Sequence, residues 1–318
     1  MKVLIYGGGA VGLGLARALI DSGCETTIID IEPTVTALKT HGIIQSGVLG
    51  DFAINPERFT VYDSILKADD NYDYICVCIK SYLSEAAAQD IASNYTHKQT
   101  PIVLFQNGWG NAEKFISYFD KERIFNARVM TGFMKQELYH VVITVHADAI
   151  RMGSLYDGDG NRLQALSKAL TTGGMAAEVV NGVLKDIWAK MLYNCALNPL
   201  GALFNVEYGE LGKSEYTKAI MNDIITEIFE TMQRAGYTTH FSNAAEYSEV
   251  FYAKLLPSTA KHRSSMLQDI QAKRRTEIDA LNGAVVALAQ HYGYEAKVNG
   301  IITGLIKFIE STYTGATG

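Results

Sequence analysis

One stretch of the chain spaces its polar residues as a binding or catalytic site would. In "WAKMLYNCALNP", residues 188–199, Lys190, Asn194 and Asn198 recur every four positions among Met191, Leu192, Tyr193, Cys195, Ala196 and Leu197. On a helix, at roughly 100° per residue, they form one stripe whose members follow each other about 6 Å apart. An ammonium and two carboxamides in a row either make a solvated helix edge or grip a small polar molecule.

A second chemical signature opens the chain. The β-rich run Val3 to Tyr6 is followed by Gly7-Gly8-Gly9-Ala10-Val11-Gly12 and then by an apolar helical pattern ending at Gly23. Gly7, Gly9 and Gly12 match G-x-G-x-x-G. The first permits a tight turn, the second lets backbone approach a pyrophosphate, and the third lets helix and strand pack closely. The free N–H groups of the helix start, at Ala10 and Val11, then meet the phosphates. A second strand, "ETTIIDI", carries Asp30, placed to accept hydrogen bonds from an adenosine ribose. Its carboxylate would repel a 2′-phosphate, Glu32 makes the local field more negative, and no Arg or Lys follows before Lys39. These charges favour NADH over NADPH.

Two further strands, in "YDYICVCIK" and "PIVLFQNG", end at Lys80 and at Asn107-Gly108. Ligands of open parallel sheets collect outside the carboxyl ends of strands, which makes both residues candidates for the cofactor or substrate. The plainer readings are a solvated loop lysine and a turn-forming asparagine.

The elements that must hold these residues divide the chain in two. At 318 residues, 48% apolar and 19% charged, it is long enough for two cores. The fold class is α/β: an N-terminal Rossmann-type dinucleotide-binding domain over residues 1–181, then an all-α domain over 182–318. "ARVMTGFM", "HVVITVHADAIRMGSL" and "AAEVVN" depart from regular βαβ alternation and suggest an antiparallel extension of the sheet. Beyond Gly182 helical periodicity takes over. "VLKDIWAKMLYNCALNPLGALF" is one segment that Pro199 should bend or interrupt. In the next helix Ile220, Ile224, Ile228 and Met232 share a face, with Gly236 as its stop. Thr276-Glu277-Ile278-Asp279 has the T-x-x-D form of a capping box, predicting a fresh helix there that runs to about Tyr292. A bend before it could bring Ser265 and Glu277 to one pocket.

Composition narrows the function classes. A net charge of −6 gives no footprint for nucleic acid, and "KRR" at 273–275 reads as a solvated face. Four cysteines do not make a disulfide framework, and seven histidines without ligand spacing argue against a metal site. No apolar run reaches the ~18 residues of a membrane span, so a cytoplasmic protein is expected. The sequence is compatible with a homodimer without specifying one.

The full set of motifs resembles the ketopantoate reductase (2-dehydropantoate 2-reductase) family. It comprises the N-terminal G-x-G-x-x-G, Lys80, "QNG" at 106–108, K-x-x-x-N-x-x-x-N-P at 190–199, and "SSMLQD…TEID…NG" at 264–283. The resemblance spans almost the whole chain. It implies a Rossmann-type domain joined to a helical one, with the active site in the cleft between them. It also implies reduction of ketopantoate to pantoate for coenzyme A synthesis, with NADPH as the family default. By position, Lys190 matches the catalytic lysine and Glu277 the acidic residue that supports it. Asn107, Asn194, Asn198 and Ser265 match positions that orient cofactor or substrate, and Lys80 a lysine near both. Two departures stand out. Asp30-Ile31-Glu32 replaces the basic residue that receives a 2′-phosphate, and Tyr208 precedes "GEL" where the family can show a substrate-contacting asparagine.

Hydride transfer to a ketone leaves negative charge on oxygen, so the site needs a proton donor there. Lys190 would polarise the C2 carbonyl and protonate the alkoxide, Glu277 would orient the lysine or a substrate hydroxyl, and Ser265 would bind the carboxylate. The alternatives are a reductase of another branched 2-keto acid, a β-hydroxyacid dehydrogenase, which also uses a K-x-x-x-N helix, and a non-catalytic NAD(P)-sensing protein.

Overall fold

A computed structural model describes residues 1–69 and 71–313. Its contacts divide the chain into two units: Met1–Asn107 with Asn111–Val183, and Gly108–Gly110 with the chain from Leu184 onward.

Among its described residues the first unit has twelve strands: β1 (Lys2–Tyr6), β2 (Glu25–Ile29), β3 (Ile43–Gly47), β4 (Phe52–Ile54), β5 (Thr60–Tyr62), β6 (Tyr74–Val77), β7 (Ile102–Leu104), β8 (Ile124–Arg128), β9 (Thr131–Glu137), β10 (His140–His146), β11 (Ile150–Gly153) and β12 (Ala177–Val179). Its helices are α1 (Ala10–Asp21), α2 (Thr34–His41), α3 (Ser84–Asn94), α4 (Asn111–Ile116) and α5 (Gln164–Thr172). The main sheet runs β12-β11-β8-β7-β6-β1-β2-β5. From β8 through β5 every pairing is parallel, whereas β11 lies antiparallel to β8. Alternation along β1 shows how the layers form. Val3 and Ile5 enter one core with Leu13 and Leu15 of α1 and Leu166 of α5, while Leu4 enters another with Ala88 and Ile91 of α3. Both faces are thus covered, as the unbroken apolar run of a parallel strand requires.

Only part of the irregular region extends this sheet. β11 and β12 do so, but β9 and β10 leave it to form a second sheet, β4-β3-β10-β9. The expected antiparallel extension is therefore corrected for "TGFM" and "HVVITVH". The second sheet is tied to α1 by Arg17, a buried cation whose Nε donates to Gln45 Oε1 of β3 at 3.0 Å. Its guanidinium lies 4.3 Å over the Phe52 ring of β4 and also donates to the Gly173 carbonyl. On the same side, a Cβ on Gly14 of α1 would lie 2.4 Å from the Phe133 ring of β9, so only glycine allows this approach.

Beyond Val183 the secondary structure is helical: α6 (Val183–Phe204), α7 (Tyr208–Leu211), α8 (Glu215–Ala235), α9 (Ala244–Val250), α10 (Leu256–Ser258), α11 (Ser265–Gln271), α12 (Asn282–His291) and α13 (Lys297–Ser311). Ile224, Ile228 and Met232 of α8 are buried, and Gly236 ends it with φ +71°. A π-helical turn over Phe251–Leu255 joins α9 to α10. No helix among the described residues is long and apolar enough to cross a membrane.

Two expectations for this unit are corrected. The interruption expected as one outcome at Pro199 does not occur: α6 runs through it and is 22 residues long in all. Proline deprives the carbonyl four residues back of its helical donor. Here that carbonyl, of Cys195, accepts instead from Asn282 Nδ2 at 3.1 Å. Nor does a helix begin at Thr276: a 3₁₀ turn spans Ile278–Ala280, and α12 starts at Asn282. The capping box fails because both of its groups have other partners. Glu310 of α13 accepts from the Thr276 N–H at 2.6 Å, and Asp279 pairs with Arg275 and Lys307. Thr276 Oγ1 caps only the Ile278 N–H.

Candidate functional site

In the first unit the glycine-rich turn joins β1 to α1. Gly7 takes φ +111°, and a Cβ on Gly12 would fall 1.9 Å from the Gly7 carbonyl oxygen, so neither position accepts a side chain. Gly9 differs. A Cβ there would meet only the Cys78 carbonyl oxygen, at 3.8 Å, which leaves room for a ligand. Gly9 is also the N-cap of α1, with no side-chain cap and no acidic residue in the first turn. The first N–H groups of the helix, around Ala10 and Val11, therefore suit an anion.

Three more candidates follow strand ends. Asp30 comes directly after β2, Lys80 three residues after β6 and Asn107 three after β7. Since β1 pairs with β2 on one side and β6 on the other, this is the switch point of the doubly wound sheet. Burial raises the Asp30 pKa above the usual carboxylate range, against the Ile31 N–H, the Gly8 N–H and Lys135, which hold it down. Asn107 has a structural duty as well: its carbonyl accepts from Asn111 Nδ2 at 3.0 Å. The buried Ser84 hydroxyl ties Asn111 to Gln106 in the same network.

Sequence proximity could not reveal Lys135. It lies on β9, and its Nζ donates to the Gly8 carbonyl at 3.3 Å. Along the chain after Asp30 no cation precedes Lys39; the second sheet supplies one from far along the sequence.

In the second unit, α6 is buried nearly all round, with Trp188, Met191, Leu192, Cys195, Leu197 and Leu200 at 2% exposure or less. The stripe is therefore not a solvated edge. Asn194 and Asn198 are 8% and 6% exposed, and Lys190 is half-buried. Burying carboxamides is costly unless something polar meets them. Tyr208 meets Asn198, donating its hydroxyl to Oδ1 at 2.5 Å.

The other two candidates reach α6 through their neighbours. Ser264, not Ser265, caps α11: its Oγ accepts from the Leu267 N–H and donates to the Asn198 carbonyl at 3.2 Å. Ser265 is thus the first residue of α11, one position from a direct tie to the stripe. The buried Glu277 precedes the turn that leads to Asn282, itself bonded to the Cys195 carbonyl. The segment 264–282 is consequently fastened to α6 at both ends. Gly108–Gly110 belongs to this unit too, with the Trp109 N–H donating to the Ala280 carbonyl at 2.8 Å. The Trp109 ring packs against Trp188 and Tyr237, each 5.1 Å away.

Cys76, Cys78 and Cys195 are buried thiols whose pKa burial pushes up, which makes them poor nucleophiles. Among the described residues no group of three His, Cys, Asp or Glu side chains could hold a metal ion.

Comparison with known proteins decides the family. Residues 3–156 match the family described as "Ketopantoate reductase PanE/ApbA", and residues 182–310 its C-terminal counterpart. The chain belongs to the ketopantoate reductase family. Among curated relatives of this reductase, the 2-dehydropantoate 2-reductase of Aquifex aeolicus is 35% identical over 308 residues, covering 96% of each chain. That of Archaeoglobus fulgidus is 29% identical over 98% of each. Among solved structures, a ketopantoate reductase of Ralstonia eutropha superposes with a TM-score of 0.85 at 25% identity, covering 99% of this chain and all of that one. A D-mandelate dehydrogenase in complex with NADH and anilino(oxo)acetate has a TM-score of 0.88 at 24% identity, over 99% of this chain and all of that one, and so shares the fold.

Proposed function

We propose that this chain reduces the 2-keto group of ketopantoate (2-dehydropantoate) to pantoate with NAD(P)H, a step toward pantothenate and coenzyme A. The observation that carries the proposal is the stripe of half-buried Lys190 with buried Asn194 and Asn198, in a chain 35% identical to a named 2-dehydropantoate 2-reductase. The domains are assigned accordingly, with residues 1–181 for the cofactor and 182–318 for substrate and catalysis.

When bound, the nicotinamide supplies the hydride. Gly7, Gly9, Ala10, Val11 and Gly12 form the phosphate cradle, and Asp30 accepts from the adenosine ribose hydroxyls, favouring NADH. Lys80 and Asn107 serve the same cofactor from the ends of β6 and β7, Asn107 also helping to orient substrate. Lys190 holds the keto oxygen through its ammonium and gives a proton to that oxygen as the C2 carbonyl becomes an alkoxide. Glu277 keeps Lys190 oriented. Asn194 and Asn198 bind substrate polar groups, and Ser265 binds the carboxylate.

A second reading, reduction of a different branched 2-keto acid, draws on Tyr208. A bulky phenol here engages Asn198, at a position where the family can offer a carboxamide to substrate. The test is oxidation of NADH and NADPH by the purified protein with ketopantoate and a panel of branched 2-keto acids. Highest catalytic efficiency with ketopantoate supports the first reading; a preference of tenfold or more for another acid replaces it with the second. Cofactor binding without turnover of any of them would leave only an NAD(P)-binding role.

A further inference from the structure

Lys135 reaches the glycine-rich turn from a different sheet, and it does so beside Asp30. A Cβ built on Gly8 would lie 2.9 Å from Asp30 Oδ2, while the Gly8 carbonyl itself accepts from Lys135 Nζ at 3.3 Å. The carboxylate and the ammonium thus flank one residue of the turn. Lys135 is presented by a strand, not by a loose loop. It pairs with Val141 of β10, and two residues earlier Phe133 of the same strand packs on Gly14 of α1. Its backbone is therefore fixed relative to the helix start that would hold the pyrophosphate.

We propose that Lys135 is a cofactor-specificity residue, its ammonium receiving the adenosine 2′-phosphate so that the chain takes NADPH as well as NADH despite Asp30. This rests on the glycine-rich turn being the NAD(P) site. Asp30 alone would repel a phosphate at the ribose corner. With Lys135 beside it the two charges cancel, and the corner serves both cofactors. A ribose 2′-hydroxyl donates to the carboxylate, and a 2′-phosphate accepts from the ammonium.

The test is equilibrium titration of the full-length protein with NADH and with NADPH, without keto acid, followed by nicotinamide fluorescence. Lys135→Gln should weaken NADPH by on the order of tenfold or more and NADH by less than about threefold. Lys135→Arg should keep NADPH binding, and Asp30→Asn should tighten it. Thermal melting checks that each variant remains folded. Equal weakening of both cofactors in Lys135→Gln, no weakening of either, or a wild type that binds NADH but not NADPH would overturn the proposal. Because binding is read without turnover, a protein that discriminates as expected yet leaves ketopantoate unreduced would sink the function proposed above and uphold this one.

Discussion

The Tyr208 hydroxyl lies 2.5 Å from Asn198 Oδ1, and both side chains are buried. With its oxygen engaged by Tyr208, the Asn198 carboxamide keeps its N–H groups to meet an acceptor, which in the proposed function is substrate. Burial pushes the Tyr208 pKa well above that of a free phenol, so the hydroxyl stays protonated and donates at every working pH. Tyr208→Phe keeps the ring and removes the donor, leaving a buried acceptor without its partner at a cost of about 1–3 kcal/mol. KM for the keto acid should rise several-fold with a smaller change in kcat. Unchanged kinetics in steady-state assays would show that the Asn198 amide does not touch substrate.

Lys190 provides the sharper kinetic test. If Lys190 protonates the alkoxide as proposed, Lys190→Ala should lower kcat by roughly 10²–10⁴-fold. NADH affinity, measured by fluorescence titration, should change little because the phosphate cradle lies on other residues. Near-normal turnover would remove Lys190 from the reaction.

How much of this was legible in the sequence depended on whether the determinants were local. The glycine spacing, Asp30 at the end of β2 and the four-residue stripe on α6 are short-range patterns, and each occupies the element expected of it. Tertiary partners decided the rest. Thr276 and Asp279 have the spacing of a capping box, but Glu310 and Lys307 from α13 capture both groups. Pro199 has the signature of a helix break, but Asn282 supplies the missing donor. β9 and β10 read as strands without stating which sheet they join, and that choice is what carries Lys135 to Gly8.

The two kinds of glycine in the turn should separate stability from binding. Gly12→Ala places a Cβ 1.9 Å from the Gly7 carbonyl oxygen, a clash that backbone must move to relieve, so the protein should lose stability or fail to fold. Gly9→Ala meets protein only at 3.8 Å, so its melting temperature should stay near wild type. The new methyl would instead intrude on the pyrophosphate, and cofactor affinity should fall about tenfold or more. Normal NAD(P)H affinity in Gly9→Ala would place the phosphates elsewhere.

His262 couples acid to the same corner as Tyr208, whose ring lies 5.2 Å away. Burial lowers the His262 pKa below its ordinary 6.5. Between the folded value and about 6.5 the unfolded chain binds more protons than the folded one, so stability rises with pH across that window and falls on acidification. His262→Phe keeps an aromatic ring against Tyr208 and removes the titration. Urea denaturation at a series of pH values should show a shallower acid loss in this variant than in the wild type. Parallel profiles would mean that His262 does not contribute.

The Pro199–Asn282 arrangement predicts a coupling that neither residue shows alone. In the wild type, Asn282 Nδ2 donates to the Cys195 carbonyl and also to Asn299 Oδ1 at 3.0 Å. Asn282→Ala should therefore cost about 1–3 kcal/mol, since it orphans a buried carbonyl inside α6. In Pro199→Ala the new backbone N–H can close the ordinary helical bond to the Cys195 carbonyl, so that carbonyl no longer depends on Asn282. Asn282→Ala should then be less damaging in the Pro199→Ala background, the remaining loss coming from the Asn299 bond. A double-mutant cycle by urea denaturation measures the difference, with a coupling of about 0.5–3 kcal/mol expected for residues sharing a partner. Strict additivity would mean that the Asn282 bond does not replace the one that proline removed.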